Sequence, residues 1–264
     1  MKAFFNSALV AFSMFSSLPM PQKRIRWDGD GMKYMMAAFP LVGVVIGAVV
    51  YLWVWFAGWL GLPGILVSLG LTLIPIALTG GIHLDGLADT SDALGANTTP
   101  ERRREILKDP RAGAFAVIGV AVYLVAFFGL ALAFDAARWN VVLLCVGFVM
   151  SRAMSGLAVI SFPSASDGTA KMFRDAAAKR SFIILAVILV LCTAAAVTLM
   201  FFDKIGAVTV VAWYFVQFCC FFYLKFTAKR KFGGMSGDLA GWFLQLNEIL
   251  QLAAVVVCSY WRFG

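Results

Sequence analysis

Charged residues are scarce in this sequence: they make up 14% of its 264 residues, whereas 62% are hydrophobic. A soluble globular domain has roughly 25% charged and about 45–50% apolar residues. The scarcity of charge therefore excludes a soluble globular protein and a disordered chain, and it indicates a polytopic membrane protein. The apolar runs are long rather than short and alternating, which also excludes a transmembrane β-barrel.

Residues that bind transition metals are rare as well. His83 is the only histidine, so the sequence has no histidine cluster for such a metal. The five cysteines all lie within apolar runs, and their spacing does not indicate a zinc site. A thiol in a hydrophobic helix is usually a small packing residue, so we interpret the cysteines as structural and expect no disulfide.

Apolar runs long enough to cross a bilayer recur along the chain, since a transmembrane helix needs about 20 apolar residues. The expected spans cover roughly residues 35–60, 65–80, 113–134, 139–163, 181–202, 205–224 and 239–261. An N-terminal apolar segment, residues 3–22, is a further span, an interfacial helix or a signal peptide. The sequence predicts an all-α, polytopic helical bundle of seven to eight transmembrane or membrane-embedded helices, which forms a single domain over residues 1–264.

Most of the 22 lysine and arginine residues lie in alternate polar segments. These basic segments cover residues 23–34, 81–112, 164–180 and 225–238, whereas the turns between them hold only Arg138 and Lys204. By the positive-inside rule, the basic segments face the cytoplasm. The net charge of +8 is mostly this topological signal, and because it is divided among loops next to the membrane, we do not expect nucleic-acid binding.

The segment Gly80–Asp92 (GGIHLDGLADTSD) carries the pattern most informative about chemistry. On a helix, Asp89 lies roughly 40° from Asp85, and Asp92 lies roughly 20° to the other side. Three carboxylates on one stripe repel one another, and a bound cation removes that repulsion. Oxygen ligands suit Mg²⁺ or Mn²⁺ rather than zinc. The stripe therefore predicts a divalent-cation site, with a solvated helix face as the alternative.

Basic residues follow this stripe, as the binding of a phosphorylated substrate requires. Lys108 and Arg111 are the main candidates, and Arg104 and Asp109 lie in the same segment. For the triple arginine at 102–104 alone, the topological explanation is at least as good.

Three further features are candidates for the site. Asp238 either caps the last helix or binds a metal or substrate, and Ser236 supplies a hydroxyl beside it. Arg152 and Glu248 each lie alone in an apolar span, where charges are usually functional or paired. They pair with each other, or Arg152 faces a phosphate pocket. A transporter would also use such charges, but it predicts internal repeats with paired broken helices, which the sequence lacks.

The motif at residues 80–89 (GGIHLDGLAD) resembles the signature of the cobalamin-5′-phosphate synthase family, the adenosylcobinamide-GDP ribazoletransferases. The segments 105–115, 40–43 with Gly47, and 234–238 with Glu248 fit the same family in the expected order. Ser236 stands where threonine is expected in the family, and both residues supply a hydroxyl.

The resemblance implies a Mg²⁺-dependent enzyme of the bacterial cytoplasmic membrane that acts in the last steps of vitamin B12 assembly. Such an enzyme joins adenosylcobinamide-GDP to α-ribazole or its 5′-phosphate and releases GMP. A CDP-alcohol phosphotransferase acting on a lipid alcohol, with the same metal chemistry, is the nearest alternative, and a transporter is a more distant one.

The resemblance and the residue pattern together assign roles to the site residues. Asp85, Asp89 and Asp92 would bind Mg²⁺, and one of them or Asp238 would be the general base. His83 is a weaker catalytic candidate. The expected substrate ligands are Lys108, Arg111, Arg104, Asp109, Arg152, Ser236 and Glu248. The expected partners are the two small-molecule substrates and the lipid bilayer. Gly43 and Gly47 allow close helix packing, either within one chain or between two copies in a homo-oligomer.

Overall fold

A computed structural model describes residues 2–21, 23, 25, 27, 29–202 and 205–261. Within these residues the chain is helical, and its only β pairing is an isolated bridge between Ser164 and Met235. The predicted all-α class is therefore confirmed. Part of the first basic segment, including Arg24 and Arg26, and Lys204 in a turn lie outside the described residues.

Thirteen α-helices make up the described part of the chain. They are α1 (Lys2–Phe15), α2 (Gly29–Met32), α3 (Met35–Ala38), α4 (Pro40–Trp59), α5 (Gly64–Thr79), α6 (Ile82–Gly95), α7 (Pro100–Ile106), α8 (Ala114–Ala133), α9 (Arg138–Ser161), α10 (Thr169–Ala176), α11 (Lys179–Phe201), α12 (Ala207–Thr227) and α13 (Gly237–Trp261). A π-helical turn, Ala228–Phe232, extends α12.

Six helical segments are long and apolar enough to cross a membrane: α3 with α4, α8, α9, α11, α12 and α13. α9 and α13 are mostly buried inside the bundle, whereas α8 and α11 expose most of their apolar surface. Helices satisfy their own backbone hydrogen bonds, so apolar outer faces of this kind are compatible with lipid. The predicted polytopic membrane bundle is confirmed.

α5 and α6 form one broken segment, which corrects the expected independent span over residues 65–80. α5 has only 16 residues, and α6 is turned from it by 92°. Gly80 and Gly81 make the turn with φ values of 62° and 78°, a region that L side chains rarely adopt. The Ser17 hydroxyl donates to the Ala77 carbonyl at 2.6 Å, which satisfies one of the free carbonyls at the end of α5. The polar helix α6 thus runs at about a right angle to α5 and packs against α8 and α13.

The N-terminal segment forms a short helix rather than a full span. α1 has 14 residues, which rise about 21 Å, less than the roughly 30 Å of a bilayer's hydrocarbon core. Its last residues, Met14 and Phe15, reach a cavity at the end of the bundle that carries the basic segments.

The two glycines of α4 are used within the chain. A Cβ on Gly43 would lie 2.4 Å from the carbonyl oxygen of Phe148, and one on Gly47 would lie 3.1 Å from the Cβ of Cys145. Both neighbours belong to α9. Of the two alternatives left open for this pair, the structure shows close packing between α4 and α9 of one molecule.

The two intramembrane charges pair with each other. Arg152 on α9 and Glu248 on α13 form a salt bridge whose side chains are 0% and 3% exposed. The Ser151 hydroxyl donates to Glu248 Oε1 at 3.3 Å, and Arg152 Nη1 also donates to the Phe148 carbonyl at 3.2 Å. The pair joins the two most buried helices, and neither charged side chain lines the cavities described below.

Candidate active site

The candidate site begins where α6 crosses the start of α13. A Cβ on Gly86 would lie 2.7 Å from the carbonyl oxygen of Asp238, and one on Gly241 would lie 3.2 Å from the Cα of His83. The helices therefore touch backbone to backbone, which only glycine permits at these positions. This contact brings the polar segments at residues 80–92 and 233–238 together.

A first cavity of about 170 Å³ opens at the crossing. Its polar lining consists of His83 and Asp85 from α6, Asp238 from α13, Ser155 from α9 and Thr169 from α10. The rest of the lining is largely apolar and aromatic. A mainly apolar cavity with a few convergent polar groups is typical of a small-molecule site.

A second cavity, of about 160 Å³, adjoins the first and has a more basic lining. It is lined by Arg104, Lys108 and Ser236, and it shares Thr169 and Asp238 with the first cavity. Asp238 therefore stands at the junction between a carboxylate-bearing cavity and a basic one.

Hydrogen bonds hold the elements around the basic cavity. Arg104 Nη1 donates to the Phe232 carbonyl at 2.9 Å, at the end of the π-helical turn. The Met235 amide donates to the Pro163 carbonyl at 2.7 Å, and the Ala165 amide donates to the Met235 carbonyl at 2.9 Å. These bonds anchor the loop before α13 to two other parts of the chain.

The hydroxyl of Ser236, rather than the carboxylate of Asp238, caps α13. The Leu239 amide donates to Ser236 Oγ at 3.2 Å, the usual N-cap geometry. Because the serine supplies the cap, the Asp238 carboxylate in the first turn of α13 is left to face the cavities.

The four predicted acidic residues lie within electrostatic reach of one another. Burial, together with the nearby charges of Asp85, Asp238 and Asp92, raises the pKa of Asp89 to about 6. A carboxylate whose ionised form is disfavoured by its neighbours is one that a cation would stabilise.

The carboxylates do not form a complete protein ligand set for a metal within the described residues. Among the described residues, no three acidic, histidine or cysteine groups form a ready metal-binding group. The Asp92 carboxylate lies against Gly113 at the start of α8, where a Cβ would be 2.2 Å from Asp92 Oδ1. Mg²⁺ usually takes one or two carboxylates and completes its shell with water and substrate phosphates. Asp85 and Asp238, which line one cavity and offer only oxygen, fit that pattern. The predicted assignment of Asp85, Asp89 and Asp92 as ligands stays a prediction.

His83 is buried rather than exposed at a helix end. It is 4% exposed and lines the first cavity together with Asp85, because the glycine turn starts α6 afresh at Ile82. Its Nε2 atom has no hydrogen-bond partner among the described residues. The histidine therefore does not cap the helix, and one polar ring atom is available to a ligand.

Besides Arg152 and Glu248, two further predicted substrate ligands, Arg111 and Asp109, lie away from both cavities. Arg111 Nε and Nη2 donate to the carboxylate of Asp109 at 2.9 and 2.8 Å, and the arginine side chain is 86% exposed. This bond lowers the pKa of Asp109 to about 2. The structure thus brings Arg104, Lys108 and Ser236 together with Asp238, and it does not bring Arg111 or Asp109 to them.

Sequence reasoning missed Ser155 and the aromatic side chains of the first cavity. Ser155 follows Arg152 by three residues, so the two share a helix face. A serine close to an intramembrane charge was the sequence feature that could have pointed to this site residue. The aromatic residues Phe15, Phe39 and Phe173 come from three separate helices or helix ends. Nothing local in the sequence distinguishes them from other apolar residues.

Comparison with known proteins identifies the family. The family model described as cobalamin-5-phosphate synthase matches residues 7–256, nearly the whole chain. This chain belongs to that family. The resemblance seen in the sequence motifs is therefore confirmed, and the chain is a transferase of cobalamin synthesis.

Curated relatives in the cobalamin-5-phosphate synthase family cover almost all of this chain. A protein of Lachnoclostridium phytofermentans is 40% identical over 255 residues, 96% of this chain and 94% of the relative. One from Clostridium perfringens strain 13 is 34% identical over 94% of this chain and 96% of the relative. One from Vibrio parahaemolyticus is 30% identical over 92% and 88%, respectively. All three are named adenosylcobinamide-GDP ribazoletransferase. No solved structure matches this chain.

Proposed function

We propose that this chain transfers the cobinamide phosphate of adenosylcobinamide-GDP to a ribose hydroxyl of α-ribazole or its 5′-phosphate. The hydroxyl oxygen forms a bond to the phosphorus that carries cobinamide, the bond from that phosphorus to the bridging oxygen breaks, and GMP leaves. The hydroxyl proton passes to a base of the enzyme. Relatives that cover nearly the whole chain carry this activity in their names.

The observation that carries the proposal is the position of Asp238 at the junction of the two cavities. Arg104 and Lys108 line the basic cavity, where they suit the diphosphate and the leaving GMP. Asp85 lines the other cavity with Asp238. Phosphoryl transfer needs positioning and charge neutralisation more than covalent chemistry, and this arrangement supplies both at one place.

We propose that the reaction depends on Mg²⁺ held by Asp85, with Asp89 nearby, which leaves the carboxylate of Asp238 free to act as a base. Bound Mg²⁺ would neutralise phosphate charge and polarise the phosphoryl oxygens. Arg104 and Lys108 would hold the diphosphate, and a carboxylate of the site would accept the hydroxyl proton. Asp238 is the proposed base because it borders both cavities.

We further propose that the site faces the cytoplasm of a bacterial cell, across its cytoplasmic membrane. The basic segments 81–112, 164–180 and 225–238 all contribute to the two cavities. The positive-inside rule places segments of this kind on the cytoplasmic side. GMP would then be released into the cytoplasm.

The test is turnover by the purified, reconstituted protein. The protein is mixed with adenosylcobinamide-GDP, Mg²⁺ and either α-ribazole or its 5′-phosphate, and GMP and the corrinoid product are followed by chromatography. We expect product with at least one nucleoside, loss of product with EDTA, and recovery when Mg²⁺ is restored. Absence of turnover with both nucleosides would refute the transferase proposal, and turnover unaffected by EDTA would refute the metal.

A matched pair of variants tests the site. Asp238→Asn keeps the size of the side chain and removes the proposed base, so we expect a loss of at least about 100-fold in kcat. Asp135→Asn is the control: this exposed aspartate precedes α9, whose start lies about 26 Å along the helix from Ser155. Equal activity of the two variants would contradict the role of Asp238.

A further inference from the structure

The wall of the first cavity contains a cluster of aromatic rings. The ring centroids of Phe15 and Phe39 are 4.4 Å apart, and those of Phe15 and Phe173 are 6.3 Å apart. The His83 ring is 5.7 Å from Phe39 and 6.4 Å from Phe15. All four residues line the cavity. These distances are those of mutually packed aromatic rings, so the wall offers ring faces and edges to a flat ligand.

Two buried polar atoms beside this wall lack partners. Among the described residues, neither His83 Nε2 nor Ser155 Oγ has a hydrogen-bond partner, and the two residues are 4% and 0% exposed. Most buried polar groups are hydrogen-bonded, because leaving one unpaired costs free energy. Both residues line the same cavity, so a ligand there could supply the missing bonds.

We propose that this cavity binds the aromatic base of the nucleoside substrate, stacked against Phe15, Phe39 and Phe173, with His83 or Ser155 hydrogen-bonded to its free ring nitrogen. The inference rests on the proposed transferase function and assigns the substrates to the two cavities. The base of α-ribazole is a dimethylated benzimidazole, which has a large apolar surface and a single unsubstituted ring nitrogen once the ribose is attached.

The competing occupant is the guanine of the other substrate, and the lining argues against it. Guanine presents several donors and acceptors along its edges, each of which needs a partner when it is buried. The first cavity offers few polar groups, and most of its lining is apolar. The basic cavity next to it, with Arg104 and Lys108, suits the guanosine diphosphate part instead.

This assignment places the reacting groups at the junction. With the base in the first cavity and the diphosphate in the second, the ribose hydroxyl and the phosphorus meet near Asp238, which borders both. Enzymes gain much of their rate from holding two reactants in such a geometry.

The experiment measures Michaelis constants for both substrates with the reconstituted full-length protein. Phe39→Leu and Ser155→Ala are compared with Phe127→Leu, a matched control: Phe39 is 3% exposed and Phe127, in α8, is 2% exposed and lines neither cavity. We expect KM for α-ribazole to rise about tenfold in Phe39→Leu, since stacking on a base is commonly worth that factor or more. In Ser155→Ala we expect a severalfold rise through loss of a hydrogen-bond donor beside the base. We expect KM for adenosylcobinamide-GDP to stay within about twofold of wild type in all three.

A second measurement needs no variant. Free 5,6-dimethylbenzimidazole, added to the wild-type enzyme, should inhibit competitively against α-ribazole and non-competitively against adenosylcobinamide-GDP, and guanosine should show the reverse pattern.

The outcomes separate this inference from the proposed function. A wild-type enzyme that turns over, but whose cavity variants match Phe127→Leu, or whose inhibition by dimethylbenzimidazole is competitive only against adenosylcobinamide-GDP, would overturn the assignment of the cavity and leave the transferase intact. A wild-type enzyme without turnover on either nucleoside would overturn both.

Discussion

Substitution of Gly86 by alanine tests whether the site depends on the close crossing of α6 and α13. The added Cβ would lie 2.7 Å from the carbonyl oxygen of Asp238, and its next neighbours are the Cα atoms of Asp238 and Gly241 at 3.2 Å. All three are backbone atoms, so no side chain can rotate away. One helix must move relative to the other by roughly 0.7 Å to restore an ordinary contact.

The size of the effect follows from that movement. Overpacking of this kind costs about 1–3 kcal/mol, while the change from glycine to alanine within a helix adds about 1 kcal/mol of stability. We therefore expect a modest fall in stability, of at most about 2 kcal/mol. Activity should fall more, by about 10- to 100-fold in kcat, because a displacement approaching 1 Å separates the α6 carboxylates from Asp238.

The assay compares kcat for GMP release and the thermal unfolding midpoint of Gly86→Ala with those of Gly129→Ala. Gly129 lies within α8, and a Cβ there would meet nothing within 4 Å, so this control changes helix propensity alone. Wild-type kcat in Gly86→Ala, or an unfolding midpoint no lower than that of the control, would refute the role of the crossing.

Three further predictions concern stability. Arg152→Met should cost about 3–5 kcal/mol, because it leaves Glu248 buried and unpaired, whereas the double variant Arg152→Met/Glu248→Leu should be more stable than the single one; additive losses in unfolding experiments would contradict the pairing. Ser236→Ala should cost about 1 kcal/mol through loss of the cap on α13, and Ser236→Thr should cost less; an alanine variant as stable as wild type would show that the cap contributes nothing. The raised pKa of Asp89, about 6, means that stability of the metal-free protein falls as the pH rises through that value, since the folded state favours the protonated carboxyl. Asp89→Asn should thus raise the metal-free unfolding midpoint at pH 7.5 and lose that advantage towards pH 4; the same gain at both pH values would refute the electrostatic cause.

The spanning helices and the position of the acidic helix α6 could be predicted from local patterns. Long apolar runs specify α8 and α11, because a helix that faces lipid must be apolar over its whole length. The spacing of Asp85, Asp89 and Asp92 gives their placement on one helix, and the two glycines before them give the turn that starts it. These features depend on neighbours within a few positions in the chain.

The assembly of the site could not be predicted in the same way. The contact of α6 with α13 joins residues about 150 positions apart, and its geometry depends on Gly86 meeting the backbone of Asp238. The orientation of single side chains could not be predicted from the sequence pattern either. Asp92 lies against Gly113, and the exposed Arg111 binds Asp109 instead of facing a cavity. Tertiary packing decides such orientations.

Competition between neighbouring residues explains the remaining differences. Asp238 was the residue expected either to cap α13 or to bind a ligand, whereas in the structure the hydroxyl of Ser236 supplies the cap. Similarly, pairing with Glu248 leaves Arg152 away from both cavities, although its charge alone is equally compatible with a phosphate pocket.

The most direct test of the account is a double-mutant cycle on Asp85 and Asp238, which lie on different helices and line one cavity. The measurement is kcat for Mg²⁺-dependent GMP release by Asp85→Asn, Asp238→Asn and the double variant. Residues that act as one unit give strongly non-additive effects, so we expect the double variant to be little slower than the slower single variant. Losses that simply multiply, or a single variant with wild-type kcat, would contradict the claim that α6 and α13 build one catalytic centre.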